Sequence, residues 1–321
     1  MQILMTTLTS RNGTDKSARF APVAIFAYRR AFELGKLLDS LAACPEATET
    51  ALTIFVDGPK GAREAKAVQA VLDVAYHERR FCSIEVVASS MNRGLSNSII
   101  SGVNRMLSQN DEVIVLEDDL VVSESFLRFM NDGLNAYRAV PEVVSIHGYV
   151  YPLGVELDGN FFLRGADCWG WATWKDSWRL FEPDSKKLLK RLVESGQESD
   201  FNFGGAFNYV GMLQDQIAGR VDSWAIRWYA SAFLEGRLTL YPRKSLVMNT
   251  GLNRQGTHGG NPALWGLPNP GTVEAAVLEV KESSLARRAF EQFFRQLNLQ
   301  QETLLNRVMR NIRLWVSKSV S

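Results

Sequence analysis

Short apolar runs alternate with segments of helical periodicity along the first half of the chain. Four of these runs are rich in Val, Ile, Leu and Phe, as is typical of strands buried in a sheet. They are PVAIFA (22–27), LTIFV (52–56), IEVVA (84–88) and VIVL (113–116). Between the runs, apolar residues recur every three or four positions, as on one face of a helix. The three faces are Leu34, Leu37, Leu38 and Leu41; Val68, Val71, Leu72 and Ala75; and Ile99, Ile100, Val103 and Leu107.

This alternation predicts the fold class. A strand and a helix follow each other about every thirty residues, which is the signature of right-handed βαβ units and a parallel sheet. Ser123 is the predicted N-cap of a further helix. The apolar face of that helix consists of Phe126, Phe129, Met130 and Leu134. We therefore predict an α/β, Rossmann-like fold with a mostly parallel sheet flanked by helices.

The alternation ends after residue 147, and the second half of the chain has a mixed pattern. Residues 195–209 read as loop, 214–236 predict a helix, and 237–249 predict one or two strands. Residues 250–271 are rich in Gly, Asn and Pro, which indicates a mobile loop. The tail over 284–320 is predicted to be helical.

Composition narrows the class of protein. The chain has 321 residues, 46% of them hydrophobic, so it can bury a large core. The net charge is only +1, whereas a nucleic-acid-binding surface would usually show a basic excess. Three scattered cysteines, Cys44, Cys82 and Cys168, form no CxxC pair, which suits a reducing compartment. No apolar run reaches the ~18 residues of a membrane span and the N-terminus lacks signal-peptide features, so we expect a cytoplasmic protein.

Charged residues gather where the predicted strands end. In an open parallel sheet, ligands bind beyond the carboxyl ends of the strands. The residues at these ends are Arg29 after the first strand, Asp57 after the second, Asn92 and Arg93 after the third, and Glu117, Asp118 and Asp119 after the fourth. A divalent cation such as Mg²⁺ or Mn²⁺ would neutralise the three adjacent acids and leave positions for a phosphate. The alternative is that these acids cap the following helix and face water.

Seven segments, in the same order along the chain, resemble those of GT-A glycosyltransferases, in particular N-acetylglucosaminyltransferase I and its bacterial relatives. VLEDDLVVSESFLRFM resembles the metal-binding segment of the DXD type, in its EDD form. The others are PVAIFAYRR, IFVDG, MNRGLSNSIISGVNRML, WGWATWKDSW, VDSWAIRW and NTGLNRQGTHGG. The resemblance extends from about residue 22 to about residue 260.

The resemblance implies roles for individual residues. Asp119 would bind Mn²⁺ or Mg²⁺, which bridges the donor diphosphate, and Glu117 and Asp118 would contact the ribose or the donor sugar. Asp57 would bind the nucleobase and Arg29 the diphosphate. Asn92 and Arg93 belong to the segment that resembles the Asn-x-Gly segment of nucleotide-sugar enzymes and are further candidates for substrate binding.

The catalytic base implied by the resemblance is Asp222, with Asp215 as its rival. The eukaryotic enzymes have paired acids before the tryptophan, where this chain has Asp222 and Ser223. Asp222 also has a simpler interpretation as the residue that caps the following helix. A separate base attacking from the far side of the sugar predicts inversion at the anomeric carbon.

Three further residues are candidates for substrate binding. Trp169 and Trp171 are each more typical of a core, but one of them could stack on a sugar ring. His258, in the loop of 250–260 that is expected to close over the donor, could contact a phosphate or lie exposed. The basic C-terminal segment NRVMRNIRLWVSKSV fits either peripheral contact with an anionic membrane or packing on the domain.

The predicted organisation is one domain with two halves. A flexible tail (1–20) precedes a nucleotide-sugar-binding half (21–150), an acceptor-side half (151–270) and a helical tail (271–321). The predicted function is metal-dependent transfer of a sugar from a nucleotide-sugar donor to a glycan or lipid-linked acceptor in bacterial surface polysaccharide synthesis. The alternatives are a sugar-phosphate nucleotidyltransferase, which would usually open with a glycine-rich loop, and a sugar-binding module without turnover.

Overall fold

The first part of the chain has a regular strand–helix alternation. The computed structural model describes residues 20–251 and 278–299. All four predicted strands and the helices between them are confirmed, with small shifts at their ends. They are β1 (Val23–Ala27), α1 (Ala31–Ala42), a 3₁₀ turn (Ala47–Glu49), β2 (Ala51–Val56), α2 (Ala62–His77), β3 (Ser83–Ala88), α3 (Leu95–Gln109) and β4 (Glu112–Glu117).

The second part has shorter and less regular elements. They are β5 (Leu120–Val122), α4 (Phe126–Tyr137), β6 (Val143–His147), β7 (Phe161–Arg164), β8 (Trp171–Trp174), α5 (Lys175–Trp178), α6 (Ser185–Glu194), α7 (Glu198–Phe201), α8 (Tyr209–Ile217), α9 (Trp224–Leu234), β9 (Leu238–Tyr241) and β10 (Val247–Asn249). A last helix, α10, occupies 284–299. The helical tail and the two strands over 237–249 are therefore confirmed, the tail as far as residue 299.

Eight strands form one sheet in the order β3-β2-β1-β4-β8-β6-β9-β7. The strands β3, β2, β1 and β4 are parallel to one another, and β8 is antiparallel to both β4 and β6. Strand β9 is parallel to β6, and β7 is antiparallel to β9. Six strands therefore run in one direction and two run against them, which confirms a mostly parallel sheet flanked by helices. The two predicted halves share this sheet, and their exact boundaries stay predictions.

Apolar side chains cover both faces of the sheet. One cluster joins the strands to the helices α1, α2 and α4. The opposite face carries α3 and α9 with Trp171 of β8, Trp178 of α5 and the two tryptophans of α9. A third cluster packs α6, α8, α9 and α10 around the far end of the sheet. Among the described residues, no helix is long and apolar enough to cross a membrane.

Two local predictions were wrong, and a third was incomplete. The N-cap of α4 is Ser125, without a side-chain hydrogen bond, whereas Ser123 contributes its backbone oxygen to the N–H of Phe126. The predicted loop over 195–209 contains α7. The helix predicted within 214–236 is confirmed as α9, and the end of α8 also falls in this range. Gly219, with φ +68°, stands in the break between these two helices, a backbone conformation that favours glycine.

A small antiparallel ribbon was not predicted. Strand β5 follows directly on the three acids and pairs with β10, so that Leu120 lies opposite Asn249. The backbone N–H of Thr250 donates to the backbone oxygen of Asp119 at 2.8 Å, and the Thr250 hydroxyl donates to the same oxygen at 2.9 Å. The ribbon thus holds the start of the predicted closing loop against the acids. The rest of that loop lies outside the described residues.

Candidate functional site

The three acids, named here the acid cluster (Glu117, Asp118 and Asp119), lie at the carboxyl end of β4. Asp118 is only 2% exposed, and its two oxygens accept hydrogen bonds from the backbone N–H of Tyr28 and from the guanidinium of Arg30. Asp119 is 14% exposed, and one of its oxygens accepts from Arg30 Nη1 at 2.8 Å. The predicted position of the acids at the sheet edge is therefore confirmed, and the chain contributes one guanidinium to them.

Arg30 was missed by the sequence analysis, which named its neighbour Arg29. The Arg29 side chain is 56% exposed and pairs with Glu64 at 2.8 Å, away from the acid cluster. Both arginines directly follow β1, and the sequence does not tell which of two adjacent arginines points to the acids. Contact with the diphosphate by Arg29 stays a prediction, but the arginine on the acid cluster is Arg30.

The acid cluster carries more negative charge than its surroundings compensate. Burial, followed by the charges of Asp119 and Asp118, raises the pKa of Glu117 to about 8. Burial also raises the pKa of Asp118 to about 6, although Arg30 acts against this shift. Burial lowers the pKa of Arg30, but the two aspartates more than offset that effect, so its pKa is raised overall. A second cation would therefore be stabilised here.

Among the described residues, nothing donates to Glu117 or to one oxygen of Asp119, so these oxygens are open for such a cation. Both oxygens of Asp118 are used, whereas Asp119 Oδ1 accepts no hydrogen bond from the described residues. Among those residues, no group of three or more His, Cys, Asp or Glu side chains could hold a metal ion. These residues fit a Mg²⁺ or Mn²⁺ ion that takes one or two carboxylates and completes its coordination with phosphate and water.

Asp57, which follows the end of β2, is buried, and the hydrogen bonds that it and Asn92 form between two loops are here named the brace. Asp57 Oδ1 accepts from the backbone N–H groups of Gly58 (2.9 Å) and Arg93 (2.8 Å). Its Oδ2 accepts from Asn92 Nδ2 (2.9 Å) and the N–H of Gly94 (3.0 Å). Four donors satisfy a carboxylate, so Asp57 ties the loops after β2 and β3 together. Its predicted contact with a nucleobase requires one of these bonds to open.

Asn92 and Arg93 have different surroundings. The Asn92 amide donates to Asp57 and to the backbone oxygen of Gly58, so it belongs to the same brace. The Arg93 side chain is exposed and lies along α3, 3.4 Å from the Ser101 hydroxyl. Gly94, with φ +79°, then turns the chain into α3, a conformation in which a side chain would be strained. Substrate contacts by Asn92 and Arg93 stay predictions.

Asp222 lies beside this brace. Its Oδ2 is 3.9 Å from the position that a Cβ would take at Gly94, and its Oδ1 is 3.4 Å from Arg227 Nη2. The cap of α9 is Ser223, whose hydroxyl accepts from the N–H of Ile226, so the interpretation of Asp222 as the cap was wrong. Asp222 is 58% exposed at the start of α9, next to the start of α3. The rival Asp215 is held by the guanidinium of Arg220.

The two candidate tryptophans differ in burial. Trp171 is 1% exposed and packs among Trp178, Trp224 and Trp228, with ring centroids 5.3 to 6.1 Å apart. It is a core residue, so its prediction as a substrate-binding residue was wrong. Trp169 is half-buried, with its ring 4.7 Å from that of Tyr149. His258 lies outside the described residues, as does most of the basic C-terminal segment.

The chain matches no model of a known protein family and no curated protein. It is similar in structure to a number of solved proteins at low identity. The mannosyltransferase PcManGT from Pyrobaculum calidifontis, in complex with GDP-Man and Mn²⁺, has a TM-score of 0.31 and 15% identity, over 44% of this chain and 39% of that chain. TarS from S. aureus has a TM-score of 0.42 and 12% identity, over 72% of this chain and 61% of that chain. An active-site mutant of LgtC has a TM-score of 0.33 and 18% identity, over 54% of this chain and 64% of that chain. The chain thus spans less than two thirds of each, and its chemistry rests on its own residues.

Proposed function

We propose that this chain is a metal-dependent, inverting glycosyltransferase. Its donor is a nucleotide sugar, UDP-linked and carrying GlcNAc by resemblance. Its acceptor is a hydroxyl of a glycan or lipid-linked sugar in bacterial surface polysaccharide or glycoconjugate synthesis. The observation that carries the proposal is the acid cluster at the carboxyl ends of the strands, where three acidic side chains lie together and a single guanidinium, that of Arg30, pairs with two of them.

The donor site combines the acid cluster with the loops beside it. Asp119 would hold a divalent cation through its open oxygen, and the chemistry that such a cation would supply is Lewis-acid stabilisation of the leaving diphosphate. Arg30 binds Asp118 and Asp119 and keeps them in place at the edge of the sheet. The brace formed by Asp57 and Asn92 fixes the loops after β2 and β3, where the nucleoside would lie.

Asp222 accepts the proton of the attacking hydroxyl. Its carboxylate is exposed at the start of α9 and beside the loop after β3, so an acceptor can reach it. A positioned carboxylate that removes a proton contributes about 100-fold or more to such a reaction. Because this base is separate from the diphosphate-binding residues, attack comes from the face opposite the leaving group and the anomeric carbon inverts.

The test is turnover of nucleotide sugars with and without Mn²⁺. Release of a nucleoside diphosphate that requires Mn²⁺ is expected, and Asp119→Asn should reduce it by about 100-fold or more. The matched control is Asp132→Asn, since Asp132 is an exposed aspartate on α4, outside the site. Release of pyrophosphate from a sugar phosphate and a nucleoside triphosphate would instead identify a nucleotidyltransferase. Nucleotide-sugar binding without any turnover would identify a binding module.

A further inference from the structure

A second polar site lies next to the acid cluster, on the segment between β7 and β8. At one end of this segment the backbone N–H of Gly165 donates to the backbone oxygen of Arg237, and at the other the N–H of Gly148 donates to the backbone oxygen of Gly170. Gly165 and Gly170 have φ angles of +97° and +71°, which favour glycine. Between these glycines the segment presents Asp167, Cys168 and Trp169 beside the carboxyl end of β6.

Asp167 is a carboxylate without a lysine or arginine partner among the described residues. Its side chain is 23% exposed, and its Oδ1 accepts from the backbone N–H of Cys168 at 2.8 Å. Its Oδ2 lies 3.7 Å from Nε2 of His147, which is fully buried and whose ring nitrogens make no hydrogen bond within the described residues. No lysine or arginine of those residues lies within 4 Å of Asp167. A half-buried carboxylate of this kind is stabilised by additional hydrogen-bond donors.

Aromatic rings surround this carboxylate. Trp169 packs against Tyr149 and lies 6.3 Å from Tyr151, ring centroid to ring centroid. Burial, and then the charge of Asp167, raise the pKa of Tyr151 and of Tyr209 well above the usual value. Both tyrosines nevertheless keep part of their surface exposed. The four residues Tyr151, Asp167, Trp169 and Tyr209, each partly exposed, are here named the aromatic recess.

The recess adjoins the acid cluster. Burial raises the pKa of the Cys168 thiol, and Asp167, Glu117 and Asp119 add to this shift, so Cys168 lies within the electrostatic range of both sites. The pairing of Trp171 with Val115 places the start of β8 beside the end of β4, two residues before Glu117. A molecule in the recess would therefore lie close to a donor held by the acid cluster.

We propose that the aromatic recess is the acceptor subsite, and that Asp167 makes it selective for a neutral, hydroxyl-rich sugar ring. Aromatic rings and a few polar groups are the usual lining of a site for a small organic molecule. The hydroxyls of a sugar would donate to Asp167, and the apolar face of the ring would lie against Trp169 and Tyr151. An anionic sugar is disfavoured, since its charge would face an uncompensated carboxylate. This inference rests on the proposed function for the identity of the ligand as an acceptor.

The test measures binding of three p-nitrophenyl glycosides, in the presence of UDP and Mn²⁺, by saturation-transfer NMR titration. The probes are the neutral glucoside, the neutral N-acetylglucosaminide and the anionic glucuronide. In the wild-type protein we expect the glucuronide to bind about tenfold more weakly than the glucoside. Asp167→Asn should weaken binding of the neutral glycosides about tenfold and abolish the discrimination against the glucuronide. The matched control, Asp158→Asn, replaces an exposed aspartate and should behave as wild type.

Three results would overturn the proposal. They are a wild-type protein that binds none of the neutral glycosides, one that binds the glucuronide as tightly as the glucoside, and an Asp167→Asn variant that keeps the wild-type affinities. The first two need no variant and therefore do not depend on its folding. UDP binding with Mn²⁺ is followed separately in the same samples. Nucleotide binding without glycoside selectivity removes the acceptor subsite alone, whereas loss of nucleotide binding removes the proposed function.

Discussion

Asp57 and Asp167 are both aspartates near the carboxyl edge of the same sheet, but their surroundings differ. Asp57 accepts four hydrogen bonds from its own loop and from the neighbouring loop, so its carboxylate has all the donors it needs without a ligand. Asp167 has one backbone donor and a neutral histidine at 3.7 Å. On the parallel side of the sheet (β1–β4), Asp57 is therefore satisfied by the protein's own donors, and ligand capacity is confined to the acid cluster. On the aromatic side (the segment between β7 and β8 with its neighbouring rings), Asp167 keeps capacity for a ligand.

The largest expected effect is a difference in folding stability between two tryptophan variants, one in the core and one in the aromatic recess. Trp171→Ala should lower the free energy of unfolding by about 4 kcal/mol, because it removes a fully buried ring from a cluster of four tryptophans. Trp169→Ala should cost about half as much or less, because Trp169 is only half-buried. Chemical denaturation of both variants measures the difference. Equal losses would mean that Trp169 is also a core residue.

The next effect concerns pH and the buried His147. Burial lowers its pKa to about 4, although Asp167 acts against this shift. The unfolded chain takes up a proton below its ordinary pKa of about 6.5, whereas the folded protein does not until about pH 4. His147 therefore costs stability as the pH falls through this window, up to about 3 kcal/mol.

Replacing His147 by a residue that does not titrate measures the stability that His147 costs at low pH. His147→Gln cannot take up the proton, so its free energy of unfolding should fall less than that of the wild type between pH 6.5 and pH 4. Denaturation curves at several pH values give the two slopes. The comparison must be between the two proteins, because the raised pKa values of Glu117 and Asp118 stabilise the fold as the pH falls. Identical slopes would contradict a neutral, buried His147.

The smallest effect compares the adjacent arginines on the parallel side. Arg30→Ala leaves Asp118 buried without its cation and should cost about 2 kcal/mol of stability. Arg29→Ala removes an exposed pair with Glu64 and should cost about 0.5 kcal/mol or less. Thermal unfolding of both variants checks this order. A larger loss for Arg29→Ala would show that the acid cluster does not depend on Arg30.

The parallel side was readable from the sequence because its signals are local. The apolar runs of β1–β4 and the helical faces between them lie within single elements, and the right-handed crossover then places the strand ends together. The acid cluster follows from that placement. Which of Arg29 and Arg30 reaches the acids depends on side-chain direction at the end of β1, which no local pattern encodes.

The aromatic side depends on contacts between distant residues. Strand β8 inserts between β4 and β6, and β5 pairs with β10 more than a hundred positions along the chain. Trp169 and Trp171 stand two positions apart in one aromatic stretch, yet one lines the recess and the other lies in the core. Asp167 was missed for the same reason, since the histidine beside it, His147, comes from β6. A pattern of "GADCWGW" alone carries no signal for that arrangement.

The central claim is that Asp119 and its neighbours bind a divalent cation together with a nucleoside diphosphate. The most direct measurement is the thermal unfolding midpoint with UDP, with Mn²⁺, and with both, for the wild type and for Asp119→Asn. Ligands that bind only the folded state raise this midpoint. The account predicts a clear rise for the wild type only when UDP and Mn²⁺ are both present, and no rise for Asp119→Asn. An equal rise in both proteins, or none for the wild type with either UDP or GDP, would contradict it.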